Sequence, residues 1–354
     1  MDKKIKICII GAGNISNTRH IPALKKLKNA EIFGVMSNRE KSMQATKDKH
    51  KIPNGIVIDN PENDIKKLEA TPWFKEVDAV VIGAPPKQHY PLVKMALVLD
   101  KHVLVEKPMM MNKEECDELI ALAKKKKKKF YVMHNFQYAN KMLKLNKIIE
   151  SKKYGEIISI TEVQFTNRDR RLPEWYNELP MGLFYDEAAH FIYLLEKHGG
   201  NLKIDNTCAT YTEDNEATPL SLSVNATAGK VPVQMMLNFN SPVCEWYYVV
   251  NFKKRIFIYD FFKDILIDLP TDNEHFAKDI FKNSFRHTFQ YWTQFVANGF
   301  RMITGNLLYG HDVVLGNYIN DIINNEADSS ICAEAGRKNV VSMNDIINKA
   351  NKRK

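Results

Sequence analysis

The chain has 354 residues, of which 44% are hydrophobic and 26% charged, and its formal net charge is +9. This composition is typical of a water-soluble globular protein of about two domains. We expect no membrane span and no signal peptide, because no apolar run approaches ~20 residues and the opening, Met1 to Lys6, is charged. The five cysteines lie far apart without a C-x-x-C pair, which argues against a zinc site or a disulfide framework and favours a reducing cytoplasm.

The first motif is "IIGAGNIS", residues 9–16, in which two glycines separate a predicted strand, "KIKICII", from a predicted helix, "NTRHIPALKKL". A turn of this kind binds a dinucleotide pyrophosphate. Its first glycine allows the sharp turn, its second lets the backbone approach the phosphates, and its third position is small. Ser16 stands at the third position, so the motif alone is equally compatible with an ordinary loop. On the dinucleotide interpretation the contacts are Gly11, Gly13, Asn14 and Ile15.

The first half of the chain alternates apolar strands with helical or charged stretches. Such alternation predicts an α/β Rossmann domain, a doubly wound parallel sheet with helices on both faces. Ligands of this architecture gather at the carboxyl ends of the strands. The predicted strands are "KICII", "EIFGV" (31–35), "AVVIG" (79–83), "HVLVE" (102–106) and "FYVMH" (130–134).

The basic run "KKKKKK", residues 124–129, suggests nucleic acid at first sight. Asn112 and Glu115 have the spacing of a capping box, and "CDELIALA" supplies an apolar face, so the lysines fall in the last turns of a helix, where cations favour the helix dipole. No aromatic or zinc-finger context accompanies them, and we expect no nucleic-acid partner. Steering of anionic cofactors or sugar phosphates is an alternative role.

The second predicted strand ends in Ser37, Asn38 and Arg39, about 20 residues after the glycines, where an acidic side chain would hold the adenosine ribose of NAD. A hydroxyl and a guanidinium instead bind a 2′-phosphate through charge-assisted hydrogen bonds. The sequence therefore predicts NADP(H) in preference to NAD(H). The alternative is that these are plain turn residues and that Glu40 binds the ribose.

The next two strand ends are "GAPPKQHY" and "VEKPMMM". Two prolines after Ala84 end the strand and fix a loop that can lie along a cofactor. Glu106 and Lys107 place a carboxylate and an amine at the neighbouring end, and a partly buried lysine beside a positively charged nicotinamide can take part in proton transfer. A surface turn held by a salt bridge is the alternative. The predicted cofactor contacts here are Ala84, Pro85, His89, Glu106 and Lys107.

Farther along, Asp186 and His190 are four residues apart in "YDEAAHFIYLLEKH", which has a helical apolar pattern. Both side chains therefore project to one side of a helix and can meet one ligand. Histidine also has the ordinary pKa that suits proton exchange near neutrality. A helix-surface ion pair is the alternative.

In this order, "GAGNIS", "IGAPPKQH", "VEKP" and "GLFYDEAAH" resemble the Gfo/Idh/MocA family, typified by glucose-fructose oxidoreductase and inositol dehydrogenase. The resemblance runs through nearly the whole chain, including "HTFQYWTQFVANGFRMITG", which is similar to the family's near-terminal helix. It implies a Rossmann domain over 1–130 and an α+β domain over 131–354, whose large, mainly antiparallel open sheet binds substrate and joins a homodimer or homotetramer. It also implies that Lys107 is the active-site lysine, Asp186 its acidic partner and His190 the acid/base.

The chain departs from the family pattern at three places. Ala188 stands where many members have a glycine, "MGL" (181–183) replaces a glycine cluster, and Gln137 takes the place of a frequent arginine, which leaves sugar or anion contacts there in doubt. The segment "NRDRRLPEWYNELP" has cationic and aromatic side chains suited to gripping and stacking on a sugar, although a dimer contact is equally compatible. The predicted substrate residues are Asn135, Arg168, Arg171, Trp175 and Tyr176.

Strand-like segments accumulate after residue 155: "EIISITEVQFT", "CATYT", "LSLSVNAT", "PVQMMLNFN", "EWYYVVNF" and "RIFIYDFF". Several alternate polar with apolar residues, as in an antiparallel sheet with one covered face. The last two have aromatics on both faces, which suggests that the second face is covered by another subunit. We expect the helical tail, residues 276–325, to pack back on the body.

These patterns together predict an NADP-preferring oxidoreductase that acts on a sugar, polyol or nucleotide-sugar alcohol or ketone. His190, aided by Lys107, would take the hydroxyl proton while hydride moves to the nicotinamide, and no metal is expected. The alternatives are a non-enzymatic NAD(P)-binding sensor of the same fold and an enzyme that never releases its cofactor.

Overall fold

The computed structural model describes residues 4–170, 172–212 and 217–353. The strands are β1 (Ile5–Ile10), β2 (Ala30–Ser37), β3 (Asn54–Val57), β4 (Ala79–Ile82), β5 (His102–Val105), β6 (Phe130–Val132), β7 (Ile157–Asn167), β8 (Leu202–Thr210), β9 (Ser221–Ala228), β10 (Val231–Ser241), β11 (Glu245–Phe252), β12 (Arg255–Asp260), β13 (Ile265–Pro270) and β14 (Ala350–Arg353). The α-helices are α1 (Ile21–Leu24), α2 (Glu40–His50), α3 (Ile65–Ala70), α4 (Pro72–Lys75), α5 (His89–Val98), α6 (Lys113–Lys126), α7 (Asn140–Ser151), α8 (Leu183–Glu187), α9 (Ala189–Gly199), α10 (Ala277–Ile303), α11 (His311–Asn324) and α12 (Ala333–Lys349).

The chain divides into two compact units. One comprises Met1–Asn135 with Gly310–Val341, and the other Phe136–Tyr309 with Ser342–Lys354. The predicted division after residue 130 assigned the whole tail to the second domain, whereas the chain returns to the first unit at Gly310. The returning segment is held there by hydrogen bonds: the Tyr131 hydroxyl donates to Asp321 (2.6 Å), and the Val132 N–H donates to the Ile331 carbonyl (2.8 Å).

The first unit contains the predicted parallel sheet, with six strands in the order β3-β2-β1-β4-β5-β6. The central strands β1, β4 and β5 are almost wholly buried and apolar, as strands covered on both faces must be. The order reverses between β1 and β4, and this switch point opens a crevice at the carboxyl ends of those strands. The edge strand β3 is absent from the predicted strands, because its four half-buried residues, "NGIV", begin with a turn-forming Asn-Gly pair.

The lysine run lies at the end of α6, as predicted. Asn112 caps the helix by accepting from the Glu115 N–H (2.8 Å), and the Glu115 carboxylate accepts from the Met111 N–H (3.0 Å), one residue before the N–H of a standard capping box. The helix ends at Lys126, with Lys127 in the left-handed conformation. The run is therefore the last turn of a helix and the residues that follow it.

The second unit is built on an eight-stranded sheet in the order β13-β12-β11-β7-β10-β9-β8-β14. All neighbouring strands are antiparallel except the pairs β7–β10 and β8–β14, so the predicted fold class is confirmed. Along β10 the residues Val233, Met235 and Leu237 are buried, while Gln234 and Met236 are exposed. One face of the sheet is thus covered by its own unit, and the other is open.

The predicted helical tail divides into α10 and α11, which pack differently. The Tyr318 hydroxyl of α11 donates to the Val80 carbonyl of the parallel sheet (3.4 Å), and Val314 and Leu315 are fully buried. In α10, by contrast, Asn298 is the one buried residue and the large apolar side chains face outward. The predicted packing of the tail on the body is thus found for α11 and for the polar face of α10, which bonds to β13, whereas the apolar face of α10 points outward. No helix in the described ranges is both long enough and apolar enough to span a membrane.

Candidate functional site

The glycine turn follows β1 at the switch point of the parallel sheet. Gly11 has φ +99°, and a Cβ atom there would lie 2.4 Å from the Gly83 carbonyl oxygen at the end of β4, so no other residue fits. At Gly13 a Cβ would meet no heavy atom within 4 Å, and the residue is exposed, as are Asn14 and much of Ile15 beside it. The turn therefore has the shape of a pyrophosphate cradle: closed behind Gly11 and open over Gly13.

Ser16 fits the third position of the motif because its neighbour is also small. The side chain is fully buried, and a Cβ added to Gly83 would lie 2.8 Å from the Ser16 hydroxyl oxygen. That hydroxyl has no hydrogen-bond partner within the described residues. The predicted helix after the turn begins as a π-helical turn, Ser16–His20, before α1. Close helix–strand packing is thus achieved without a third glycine.

The end of β2 presents the residues predicted to select the cofactor. Ser37 is the last residue of the strand, and its hydroxyl accepts from the Arg39 N–H (3.3 Å), while Asn38 and Arg39 are exposed. Glu40 begins α2 and is also exposed. A hydroxyl, an amide and a guanidinium therefore stand at the ribose-binding position of the fold, with a carboxylate one residue farther on.

The loops after β4 and β5 are joined by His89. Its ring is fully buried, with Nδ1 2.9 Å from the Pro108 carbonyl oxygen and Nε2 2.9 Å from that of Ala84, and burial lowers its pKa despite these bonds. Ala84 is half-buried and Pro85 exposed. The observed role of His89 is to connect the two loops, and its contact with a cofactor stays a prediction.

Glu106 lies at the end of β5 and forms a buried cluster with two histidines that sequence reasoning missed. His20 Nε2 is 2.8 Å from Glu106 Oε1, His311 Nε2 is 3.8 Å from the same atom, and the Lys107 N–H donates to Oε2 (3.2 Å). Burial alone would raise the pKa of Glu106, but the bond from His20 and the charges of His20, His311 and Lys107 lower it to about 2. The carboxylate is ionised, and its orientation is fixed. His20 lies four residues after Ser16, one turn along the predicted helix, so the sequence could have indicated that it lies near the turn. Nothing in the sequence around His311 indicated that it reaches Glu106.

The ligand atoms of this cluster lie within 4.8 Å of one another, close enough for two imidazoles and a carboxylate to hold a metal ion. The bond between His20 and Glu106 nevertheless accounts for the arrangement without an ion. We therefore assign the cluster to hydrogen bonding that orients Glu106 beside the half-buried Lys107. That no metal takes part stays a prediction.

In the second unit, His190 lies in an aromatic environment at the start of α9. Its ring is 8% exposed, with its centroid 4.8 Å from that of Phe136 and 6.0 Å from that of Trp246. Nδ1 is 3.0 Å from the Tyr193 hydroxyl, which also accepts from the Phe136 N–H (3.0 Å). The contact between Nδ1 and the Tyr193 hydroxyl holds the ring in one orientation.

The predicted single helix around Asp186 and His190 is two helices. Asp186 lies in α8 and His190 in α9, and Ala188 between them keeps helical angles (φ −66°, ψ −20°). Asp186 is half-buried. Because Ala188 keeps helical angles, Asp186 and His190 retain the four-residue helical spacing on which the prediction depended. Lys107 belongs to the first unit, whereas Asp186 and His190 belong to the second. Their joint catalytic role stays a prediction.

Next to Asp186 is a buried carboxylate that sequence reasoning also missed. Glu187 accepts from the Thr166 hydroxyl (2.9 Å) and from Gln164, and it forms an ion pair with Arg170. These partners come from β7 and the loop after it, so the network fixes that loop to α8. No sequence signal distinguished Glu187 from the neighbouring Asp186.

The predicted substrate residues lie in surface segments, with one exception. Arg168 is exposed next to Asp169 (Nε–Oδ1 3.7 Å), and Trp175 and Tyr176 are half-buried in a 3₁₀ helix, Glu174–Glu178. Asn135 is buried at the end of the first unit, and Arg171 lies outside the described residues. Their contact with substrate stays a prediction.

Residues 5–134 match the family model described as "Oxidoreductase family, NAD-binding Rossmann fold", GFO_IDH_MocA. Among curated proteins, Oxidoreductase P35 of Formosa agariphila is 26% identical over 57% of this chain and 63% of its own length. The chain spans about half the length of several other curated relatives that it matches.

Two solved structures share the fold over almost the whole chain. The 3-ketoreductase KijD10 from Actinomadura kijaniata, in complex with NADP, has a TM-score of 0.72 at 14% identity and covers 99% of both chains. The WlbA dehydrogenase from Bordetella pertussis, in complex with NADH and UDP-GlcNAcA, has a TM-score of 0.76 at 15% identity and covers 98% of this chain and 96% of its own. Over residues 5–134, with the six-stranded parallel sheet and its glycine turn, the chain is therefore similar to the Gfo/Idh/MocA family of NAD-binding oxidoreductases.

Proposed function

We propose that the protein is an NAD(P)-dependent oxidoreductase that transfers hydride between a nicotinamide cofactor and the alcohol or ketone of a sugar, polyol or nucleotide sugar. The observation that carries this proposal is the switch point of the parallel sheet, where the turn at Gly11 closes against Gly83 and stays open over Gly13. The fold relatives support the substrate class, since one was solved with NADH and UDP-GlcNAcA.

The cofactor would lie with its pyrophosphate over Gly11 and Gly13. When bound, it supplies the hydride acceptor or donor of the reaction. Ser37 and Arg39 favour NADP(H) over NAD(H), because a serine hydroxyl and an exposed guanidinium suit a 2′-phosphate dianion. Both cofactors are found in the fold relatives, so this preference belongs to the present proposal.

Proton transfer is assigned to His190, aided by Lys107. The bond between Nδ1 and Tyr193 orients the imidazole, which we assign to take the proton of the substrate hydroxyl during oxidation and to return it during reduction. The ionised Glu106, bonded by His20 and by the Lys107 backbone N–H, keeps an anion next to Lys107. Asp186, four residues before His190, would orient the substrate or the histidine.

We further propose a cytoplasmic homodimer or homotetramer assembled through the open face of the eight-stranded sheet. Tyr247 and Val249 alternate with the buried Trp246 and Tyr248 on β11 and stay half-buried on that face, and Met236 is 47% exposed. All five cysteines are free thiols, as a reducing compartment allows.

The cofactor proposal is tested by the shift in melting temperature with NAD⁺, NADP⁺, NADH and NADPH. We expect the phosphorylated pair to stabilise the protein more, and Arg39→Ala to weaken NADPH binding about 10-fold or more while NADH binding changes little. Lys41→Ala, another exposed cation on α2, is the matched control. Negligible shifts with all four nucleotides would refute the cofactor site, and an NADPH affinity unaffected by Arg39→Ala would refute the basis of the preference.

The catalytic proposal is tested with a panel of nucleotide sugars, sugars and polyols in the presence of the better cofactor. His190→Ala and Lys107→Ala should each lower kcat by about 10²- to 10⁴-fold, the range for loss of a general acid/base, with His287→Ala on the exposed side of α10 as the control. Cofactor binding without turnover on any substrate would favour the sensor alternative. Full turnover by both variants would refute the assigned roles.

A further inference from the structure

Helix α10 contacts its own unit through a polar face. Gln290 and Gln294 each accept from a backbone N–H of β13 and donate to the carbonyl of the same residue, Asp268 and Leu266 respectively, at 3.0–3.1 Å. One turn farther on, Asn298 donates to the carbonyls of Lys263 and Asp264 at 2.7–2.8 Å. These three side chains, spaced four residues apart, hydrogen-bond backbone N–H and C=O groups of β13 and of the residues just before it, groups that would otherwise pair with another strand.

The opposite face of α10 is apolar and exposed. Its large side chains are 51% to 85% exposed: Phe281, Phe285, Phe289, Trp292, Val296, Phe300 and Ile303. A helix that puts amides against its own sheet and aromatics outward reverses the usual amphipathic arrangement. The seven side chains expose on the order of 800 Å² of apolar surface, more than the roughly 300–600 Å² of the largest patch on a typical monomer.

The spacing of these residues indicates a helix as the partner. They follow one another at intervals of 4, 4, 3, 4, 4 and 3, so that Phe281, Trp292 and Ile303 repeat every 11 residues. An 11-residue repeat has about 3.67 residues per turn, close to the natural period of an α-helix, so the apolar row runs almost straight for about 33 Å. A straight row of this length suits another helix of similar length packed alongside.

We propose that the apolar face of α10 packs against α10 of a second copy of this chain, antiparallel and about a two-fold axis near Trp292. A second copy supplies a row of the same length and spacing, and a two-fold axis makes one surface its own complement. The area of the row also matches the roughly 800 Å² that each partner buries in a standard interface.

The charges of α10 select the antiparallel arrangement. Lys278 and Lys282 lie in its first turns on the exposed side. Parallel packing would place these cations against their copies. Antiparallel packing instead places them near the carboxyl end of the partner helix, where the helix dipole favours cations. This interface is separate from the open sheet face and does not depend on the proposed enzymatic activity.

The test is the molar mass in solution, measured by light scattering over a dilution series, for the wild type and for the double variant Phe285→Glu, Phe289→Glu. Both phenylalanines are more than 60% exposed, so the variant leaves the packing within the unit intact. We expect the double variant to have half the mass of the wild type while keeping the circular dichroism spectrum and the NADPH-induced melting shift of the wild type. Asn140→Glu, which adds the same side chain at the exposed start of α7, should not change the mass.

Met236→Glu on the open sheet face separates the two interfaces. If both exist, each variant halves the mass of a tetramer and the combination yields a monomer. The α10 proposal is overturned if the double variant keeps the mass of the wild type, or if the wild type is monomeric at all concentrations. A monomer that co-sediments with phosphatidylcholine–phosphatidylserine vesicles also overturns it and assigns the apolar face to a lipid surface.

Discussion

Two buried glutamates, one in each unit, have pKa values shifted in opposite directions. Glu106 at the end of β5 is bonded by His20, lies near His311, and has a pKa lowered to about 2. Glu162 on β7 is fully buried, neither of its carboxylate oxygens has a hydrogen-bond partner in the described ranges, and burial raises its pKa well above 4.5. The first is an anion at neutral pH, whereas burial favours the neutral acid at the second.

The comparison shows that burial alone does not determine the charge of a carboxyl group. In both places burial opposes ionisation, and only at Glu106 do cationic neighbours outweigh it. An anion held beside Lys107 is useful to a site that binds a charged cofactor. A neutral acid without partners in a sheet core instead costs stability whenever the unfolded chain would ionise it. The two units should therefore respond to pH with opposite signs.

The largest effect is expected from Glu106→Gln. A pKa lowered from 4.5 to about 2 corresponds to about 3 kcal/mol of stability at neutral pH. That stability is fully present above pH 4.5 and is lost as the pH falls towards 2. We expect the variant to lower the free energy of unfolding in urea by about 3 kcal/mol at pH 7, with a smaller difference below pH 4.5. Glu40→Gln, at an exposed position, is the control. A difference below about 1 kcal/mol at pH 7 would mean that His20 and His311 do not stabilise the ionised carboxylate of Glu106.

An effect of opposite sign is expected from Glu162→Gln. Above pH 4.5 the unfolded chain releases this proton and the folded chain keeps it, so the wild type loses stability as the pH rises towards the raised pKa. Glutamine cannot ionise, and the variant should gain stability over the wild type as the pH rises from 5 to 7 in urea titrations. Glu150→Gln, on the exposed side of α7, should show no such trend. A difference independent of pH would mean that Glu162 is ionised in the folded protein.

The smallest effect is expected from His311→Gln. His311 acts on Glu106 from 3.8 Å through its charge, whereas His20 makes a direct bond at 2.8 Å. We expect His311→Gln to cost about 1 kcal/mol or less and to move the acid unfolding transition to slightly higher pH. His20→Gln should move it farther in the same direction. The shifts are measured by tryptophan fluorescence during acid titration. Equal shifts for the two variants would mean that loss of either histidine disrupts the whole cluster.

The sequence predicted features that depend on neighbouring residues and missed features that depend on contacts between distant segments. The turn at Gly11, the strand ends at Ser37 and Glu106, and the pair Asp186 and His190 were found from spacing within a few residues. Their distant partners were not found, because His20 and His311 reach Glu106, and Phe136 reaches His190, only through the packing of segments far apart in the chain. For the same reason β3 and the separate packing of α10 and α11 were missed.

The sequence by itself determined the parallel Rossmann sheet, the mainly antiparallel second sheet and the residues at the strand ends, because hydrophobic periodicity and glycine conformation act over short stretches of chain. Only the tertiary structure decided that the pKa of Glu106 is lowered and that of Glu162 raised, that Ser16 is opposite Gly83, and that the aromatic face of α10 points away from its own unit. Charge state and exposure depend on every group within a few ångströms, and those groups are distant in the sequence.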